Sequence, residues 1–94
     1  MKNKIKPALP QWEEDVLVEE EIGRNLILYN DDVNSFDWVI DTLVEVCKHD
    51  PHQAEQCAFI VHYNGKCSVK VASFEELEPL CLELLNRGLS AKID

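Results

Sequence analysis

The sequence predicts an α+β fold in which three helices pack on a small three-stranded antiparallel sheet, in the order β-α-α-β-α-β. Three observations predict it. Short apolar or alternating runs lie near 24–29, 66–71 and 89–93. Ser35, Asp50 and Ser73 each precede a stretch whose apolar residues recur three and four apart. The chain, at 94 residues, is long enough for one small core and too short for two lobes around a large cleft, which disfavours nucleotide-binding, kinase and barrel enzymes.

The first strand is the apolar run Asn-Leu-Ile-Leu-Tyr after Arg24, which enters the polar turn Asn30-Asp31-Asp32. The first helix starts after Ser35, a side chain able to accept from the free amides of a first turn. It places Phe36, Val39, Ile40, Leu43, Val46 and Cys47 on one face and Asp37, Asp41, Glu45 and Lys48 on the other. Asp50-Pro51-x-Gln53 opens the second helix with a capping carboxylate and a proline at the first position, where no amide donor is needed. Its inward stripe is Ala54, Cys57, Ala58 and Val61, and Asn64-Gly65 supplies the left-handed residue that ends it near Tyr63.

The second strand, 66–71, sets Cys67, Val69 and Val71 on one side and Lys66, Ser68 and Lys70 on the other. Ser73-x-x-Glu76 is a capping box for a third helix with Leu77, Cys81, Leu84 and Leu85 inward. Pro79 lacks an amide donor and crowds the preceding turn, so a kink or a later helix start is expected there. Gly88 ends the helix, and Leu89, Ala91 and Ile93 alternate as the last strand.

Residues 1–22 differ from all this. Two prolines and the carboxylates of Glu13, Glu14, Asp15, Glu19, Glu20 and Glu21 favour extended chain over packing, so we read 1–22 as a flexible acidic extension and 23–94 as the core domain. Its positively charged start has no apolar run behind it and does not read as a secretory signal; a cytoplasmic location is expected. No run approaches the eighteen apolar residues of a membrane span, so no membrane partner is expected. A formal charge of −9 without a basic stripe argues against nucleic acid. Cys47, Cys57, Cys67 and Cys81 read as reduced and mostly buried thiols.

The densest polar cluster is Asn30-Asp31-Asp32; alone, it reads as a turn whose side chains satisfy their own backbone. His62, between Val61 and Tyr63, reads alone as an ordinary surface or core histidine. Cys47, His49, His52 and Cys57 are residue types that bind zinc, but the spacing forms no paired knuckles and the cysteines fall on apolar stripes, so neither a metal nor a cofactor is assigned. The carboxylates are scattered over helix faces, and no catalytic residue is assigned. Trp38 falls off the main stripe of the first helix, where it can meet a partner.

Leu-Tyr-Asn-Asp-Asp at 28–32, an amphipathic helix, and Val-His-Tyr-Asn-Gly-Lys at 61–66 together resemble the ClpS adaptor family over roughly 24–94. The resemblance implies a non-enzymatic adaptor. It would bind bulky hydrophobic N-terminal residues (Phe, Tyr, Trp, Leu) of N-end rule substrates and deliver them to a ClpA-type AAA+ unfoldase for degradation by the Clp protease. It implies that Asn30, Asp31 and His62 hold the peptide's α-amino group. Phe36, Val39, Ala58, Val61 and Leu89 would line the side-chain pocket, with Asp32 and Asn34 along the peptide backbone. Unfoldase docking would fall on Val33 and Glu75; the family's tyrosine and lysine are replaced here by Val33 and Leu80. Phe36 and Ala58 stand where familiar members carry methionines, which bears on the ranking among first residues.

The amine site has a physical case of its own. A terminal ammonium is a compact cation with three donors and needs a carboxylate and neutral acceptors converging on it. Asp31 supplies charge, the Asn30 amide oxygen direction, and an unprotonated ring nitrogen of His62 a third acceptor. Ala58, Val61 and His62, three and four apart, share one side of a helix. The alternatives are an interaction module of the same fold that modulates a Clp ATPase without amine recognition, and a small zinc- or thiol-dependent enzyme.

Overall fold

The computed structural model describes residues 23–94; the proposed 1–22 extension lies outside the described residues. The elements are β1 (Arg24–Tyr29), α1 (Phe36–Cys47), α2 (Pro51–Asn64), β2 (Lys66–Ala72), α3 (Phe74–Asn86) and β3 (Ser90–Ile93). This is the expected β-α-α-β-α-β order. The sheet is antiparallel throughout in the order β2-β1-β3, which makes β1 the central strand although it comes first in the chain.

The helices begin where capping chemistry places them. Ser35 accepts from the Trp38 amide at 3.1 Å, Asp50 from the Gln53 amide at 2.9 Å and Ser73 from the Glu76 amide at 3.2 Å. Gly65, at φ 94°, ends α2 in the left-handed conformation that costs glycine nothing, and its amide donates to the Val61 carbonyl at 2.9 Å. The core is built from Leu26 and Leu28 of β1, Leu43 and Val46 of α1, Ala54, Cys57 and Val61 of α2, Val69 of β2, and Leu77, Cys81 and Leu84 of α3, with Leu89 closing it.

Three expectations need correction. Leu26 pairs with Lys70 but Ile27 pairs with Ser68, so β2 carries one extra residue, Val69, opposite that step. Beyond this bulge the faces exchange. Val69 stays in the core, whereas Val71 turns outward to 59% exposure and Lys70 comes close enough to influence the Cys47 thiol. Leu85 is likewise exposed: Leu77, Cys81 and Leu84 already span the inward stripe of α3, and the next residue is rotated about 100° past it. Finally, α3 does not start late; it begins at Phe74 and runs through Pro79.

Candidate functional site

The polar turn after β1 is fixed by its own side chains. Asp31 Oδ1 accepts from the backbone amides of Val33 and Asn34, both at 2.9 Å, and the Asn34 side-chain Nδ2 reaches Asp31 Oδ1 at 3.1 Å and Oδ2 at 2.9 Å. The same Nδ2 donates to the Gly88 carbonyl at 2.8 Å, which bolts the turn to the segment between α3 and β3. The Asn30 amide donates to the Gly65 carbonyl at 2.9 Å, so the turn and the end of α2, three residues past His62, are held together. Hydrogen bonds from the Asn34 and Val33 amides push the Asp31 carboxyl below its ordinary value, against the opposing effect of partial burial. Asp31 is therefore ionised at neutral pH, and Oδ2 accepts from one group only.

This turn forms one side of a cavity of about 570 Å³, within the range of small-ligand sites. Asn30, Asp31, Asp32 and Asn34 line it from the turn, Phe36 and Val39 from α1, and Ala58, Val61 and His62 from α2. Nine of the ten residues expected at a peptide site thus surround one hollow. Ala58 and Val61 are buried at its base, whereas Asn30, Asp32 and His62 are exposed at its mouth.

Leu89 is placed differently. It is buried at 4% exposure and lines a recess of about 20 Å³ behind the cavity, which shares Asn30, Asp31, Asn34, Val39 and Val61 with it. It backs the wall without lining the main space. Asn34 also differs in kind from a free backbone contact, because its amide donors are committed to Asp31 and Gly88; its side-chain oxygen is the part left to accept.

Two lining residues were not expected: Phe59 and Tyr63. Their rings stack at 5.6 Å with an interplanar angle of 14°, Phe36 meets Phe59 edge-on at 5.3 Å, and His62 meets Tyr63 edge-on at 4.8 Å. The signal for them was available as two aromatic residues four apart on the polar side of a helix.

The other candidates lie elsewhere. His49 is buried and its Nε2–H donates to the Val69 carbonyl at 2.7 Å, while His52 is exposed; among the described residues no three His, Cys, Asp or Glu side chains converge as a metal site would require. Burial pushes the Cys47 thiol up to about 11 and the Cys57 thiol up to about 12, so neither is a poised nucleophile. Trp38 is partly exposed, and its indole Nε1–H donates to the Arg87 carbonyl at 3.1 Å, tying α1 to the end of α3. Val33, 88% exposed, and Glu75 are open to solvent. No helix among the described residues is long and apolar enough to cross a membrane.

The family model described as ATP-dependent Clp protease adaptor protein ClpS matches residues 21–92. The chain belongs to the ClpS family. The ClpS adapter protein of Nitratidesulfovibrio vulgaris strain DP4 is 32% identical over 76 residues, covering 77% of this chain and 73% of that protein. That of Salmonella gallinarum is 38% identical over 72 residues, covering 66% of this chain and 68% of the relative. The solved structure of Agrobacterium tumefaciens ClpS2 bound to L-phenylalaninamide superposes with a TM-score of 0.75 at 18% identity, covering 80% of this chain and 96% of the other; at that identity the likeness is one of ClpS fold. As a member of an adaptor family, the chain acts with components of the Clp protease.

Proposed function

We propose that this ClpS-family chain captures the first residue of polypeptides that begin with Phe, Tyr, Trp or Leu and delivers them to a ClpA-type unfoldase of the Clp protease. One observation carries the reading: an ionised, rigidly braced Asp31 borders the same cavity as His62, above a base of Ala58 and Val61. A free chain terminus carries its ammonium and its first side chain on the same Cα, and the cavity offers a complement to both. The ligand of the related ClpS2, L-phenylalaninamide, has this chemistry: a free α-amine beside a benzyl group.

In this reading the ammonium donates to Asp31 Oδ2, the Asn30 side-chain oxygen and a His62 ring nitrogen. The first side chain descends between Phe36, Val39, Ala58 and Val61, backed by Leu89. Asp32 and the Asn34 side-chain oxygen meet the following backbone. Charge-assisted bonds of about 1.5–3 kcal/mol each and about 2–3 kcal/mol from burying a large side chain offset the freedom lost on association, giving low-micromolar affinity. Val33 and Glu75 would face the unfoldase, and 1–22 would serve the hand-over of substrate.

Affinities of peptides beginning with Phe, Tyr, Trp, Leu and Val test the pocket. The large side chains bind and Val binds weakly; Val binding as well as Phe contradicts the reading. Deleting 1–22 should preserve peptide affinity and slow degradation of a Phe-initiated substrate by reconstituted ClpA and ClpP. Loss of peptide affinity on deletion would contradict the assigned role of that segment.

A further inference from the structure

Phe59 and Tyr63 are large rings on a water-facing side of α2, 45% and 72% exposed, and both line the cavity. Neither belongs to the core cluster. They meet other rings: they stack on one another, with Phe36 against the edge of Phe59 and His62 against Tyr63. Exposed, contiguous aromatic surface at the mouth of a site usually marks contact with a ligand. We propose that this pair of rings reads the second residue of the bound peptide and favours arginine or lysine there. The inference rests on the amine-binding reading above and adds a second specificity position to it.

The geometry sets which part of a peptide reaches the rings. With the ammonium at Asn30, Asp31 and His62 and the first side chain directed toward Ala58 and Val61, the second Cα lies 3.8 Å from the first. That distance keeps the second side chain at the mouth, beside His62 and its neighbour Tyr63. Charge decides what kind of side chain gains from being there. The residues lining the cavity include Asp31 and Asp32 and no lysine or arginine. The whole chain carries a formal −9. Ring faces attract cations through their quadrupole, and a planar guanidinium also stacks on them. A glutamate in the same place meets the two carboxylates and gains nothing from the rings. A neutral side chain of equal length gains area alone.

The experiment uses the full chain and C-terminally labelled peptides that differ only at position two: Phe-Arg, Phe-citrulline, Phe-Ala and Phe-Glu. Citrulline keeps the shape of arginine and removes the charge. For the native chain, arginine should bind tighter than citrulline by about two- to fivefold, the range for an exposed cation over aromatic rings, and glutamate should bind weakest. The arginine-to-citrulline ratio is then read within Y63L and within F59L, so that any general change in affinity cancels. The ratio should fall toward one in Y63L and drop in F59L. Equal binding of arginine and citrulline by the native chain overturns the proposal. So does a ratio that stays undiminished in both variants, since overall charge and not the rings would then produce it. If Phe-Ala binds well while arginine and citrulline are equal, only the second-position inference fails; if no Phe-initiated peptide binds, the amine-binding reading fails with it.

Discussion

The two sides of the cavity are built on opposite principles. On the turn side, Asp31, Asn34, Asn30 and the carbonyls of Gly65 and Gly88 interlock through hydrogen bonds of 2.8–3.1 Å, which allow one arrangement. On the ring side, Phe36, Phe59 and Tyr63 meet through aromatic contacts, which are weak individually and tolerate sliding. The difference assigns the tasks. Under the proposed function, the braced side would define the class of ligand, a cation on a chain terminus, and the ring side would adjust which side chains are preferred. A substitution on the braced side should weaken every ligand together, and one on the ring side should re-rank ligands.

The largest effect expected follows from that contrast. D31N keeps an oxygen for the Val33 and Asn34 amides but removes the charge, and should weaken a Phe-initiated peptide by about 10- to 100-fold in a titration, the worth of one charge-assisted bond. The same pair of proteins sharpens the linkage. Because the folded-state carboxyl titrates below its ordinary value, its stabilisation is fully present above the unfolded aspartate value of about 4 and is lost as pH falls through the lowered folded value. Urea unfolding of native and D31N chains should therefore converge on acidification below about pH 4. A stability gap that widens there would contradict the brace.

Next in size, N34A removes the donor that joins Asp31 to the Gly88 carbonyl and should cost about 1–3 kcal/mol of folding free energy with a parallel loss of peptide affinity. An unchanged unfolding midpoint would show that the turn is held otherwise. A58L fills the base of the cavity from a residue only 3% exposed. It should weaken a Trp-initiated peptide several-fold more than a Leu-initiated one, at about 1–3 kcal/mol for overpacking. The smallest effect belongs to the ring side. F36L removes edge-on contact with Phe59 and should alter any one first-residue affinity by less than about tenfold while reordering Phe, Trp and Leu. A larger loss common to all three would erase the proposed distinction between the sides.

Much of this was legible in the sequence because the signals are local. Ser35, Asp50 and Ser73 mark helix starts by side-chain chemistry that needs no tertiary context, and Asn64-Gly65 marks an end in the same way. The cavity residues were legible through resemblance and through the three-and-four spacing of Ala58, Val61 and His62. What escaped depends on the partner strand or on space. The bulge at Val69 inverts the outer half of β2, and alternation within one strand carries no record of what lies opposite. The exposure of Leu85 follows from which face of α3 meets the core, a face already filled by Leu77, Cys81 and Leu84. Asn34 shows the same limit in the site. Its position suggested a ligand contact, but the carbonyl it holds, Gly88, is 54 residues away in the chain. Phe59 and Tyr63 escape because periodicity alone gives no role to aromatic residues outside an inward stripe.

The account turns on recognition of a free amino terminus, and one titration addresses it directly. Two peptides of identical sequence beginning with Phe, one with its α-amine free and one acetylated, are measured against the full chain. The free form should bind in the low-micromolar range and the acetylated form at least about tenfold more weakly, since acetylation removes the charge that Asp31 complements. Equal affinity for the two would contradict the account.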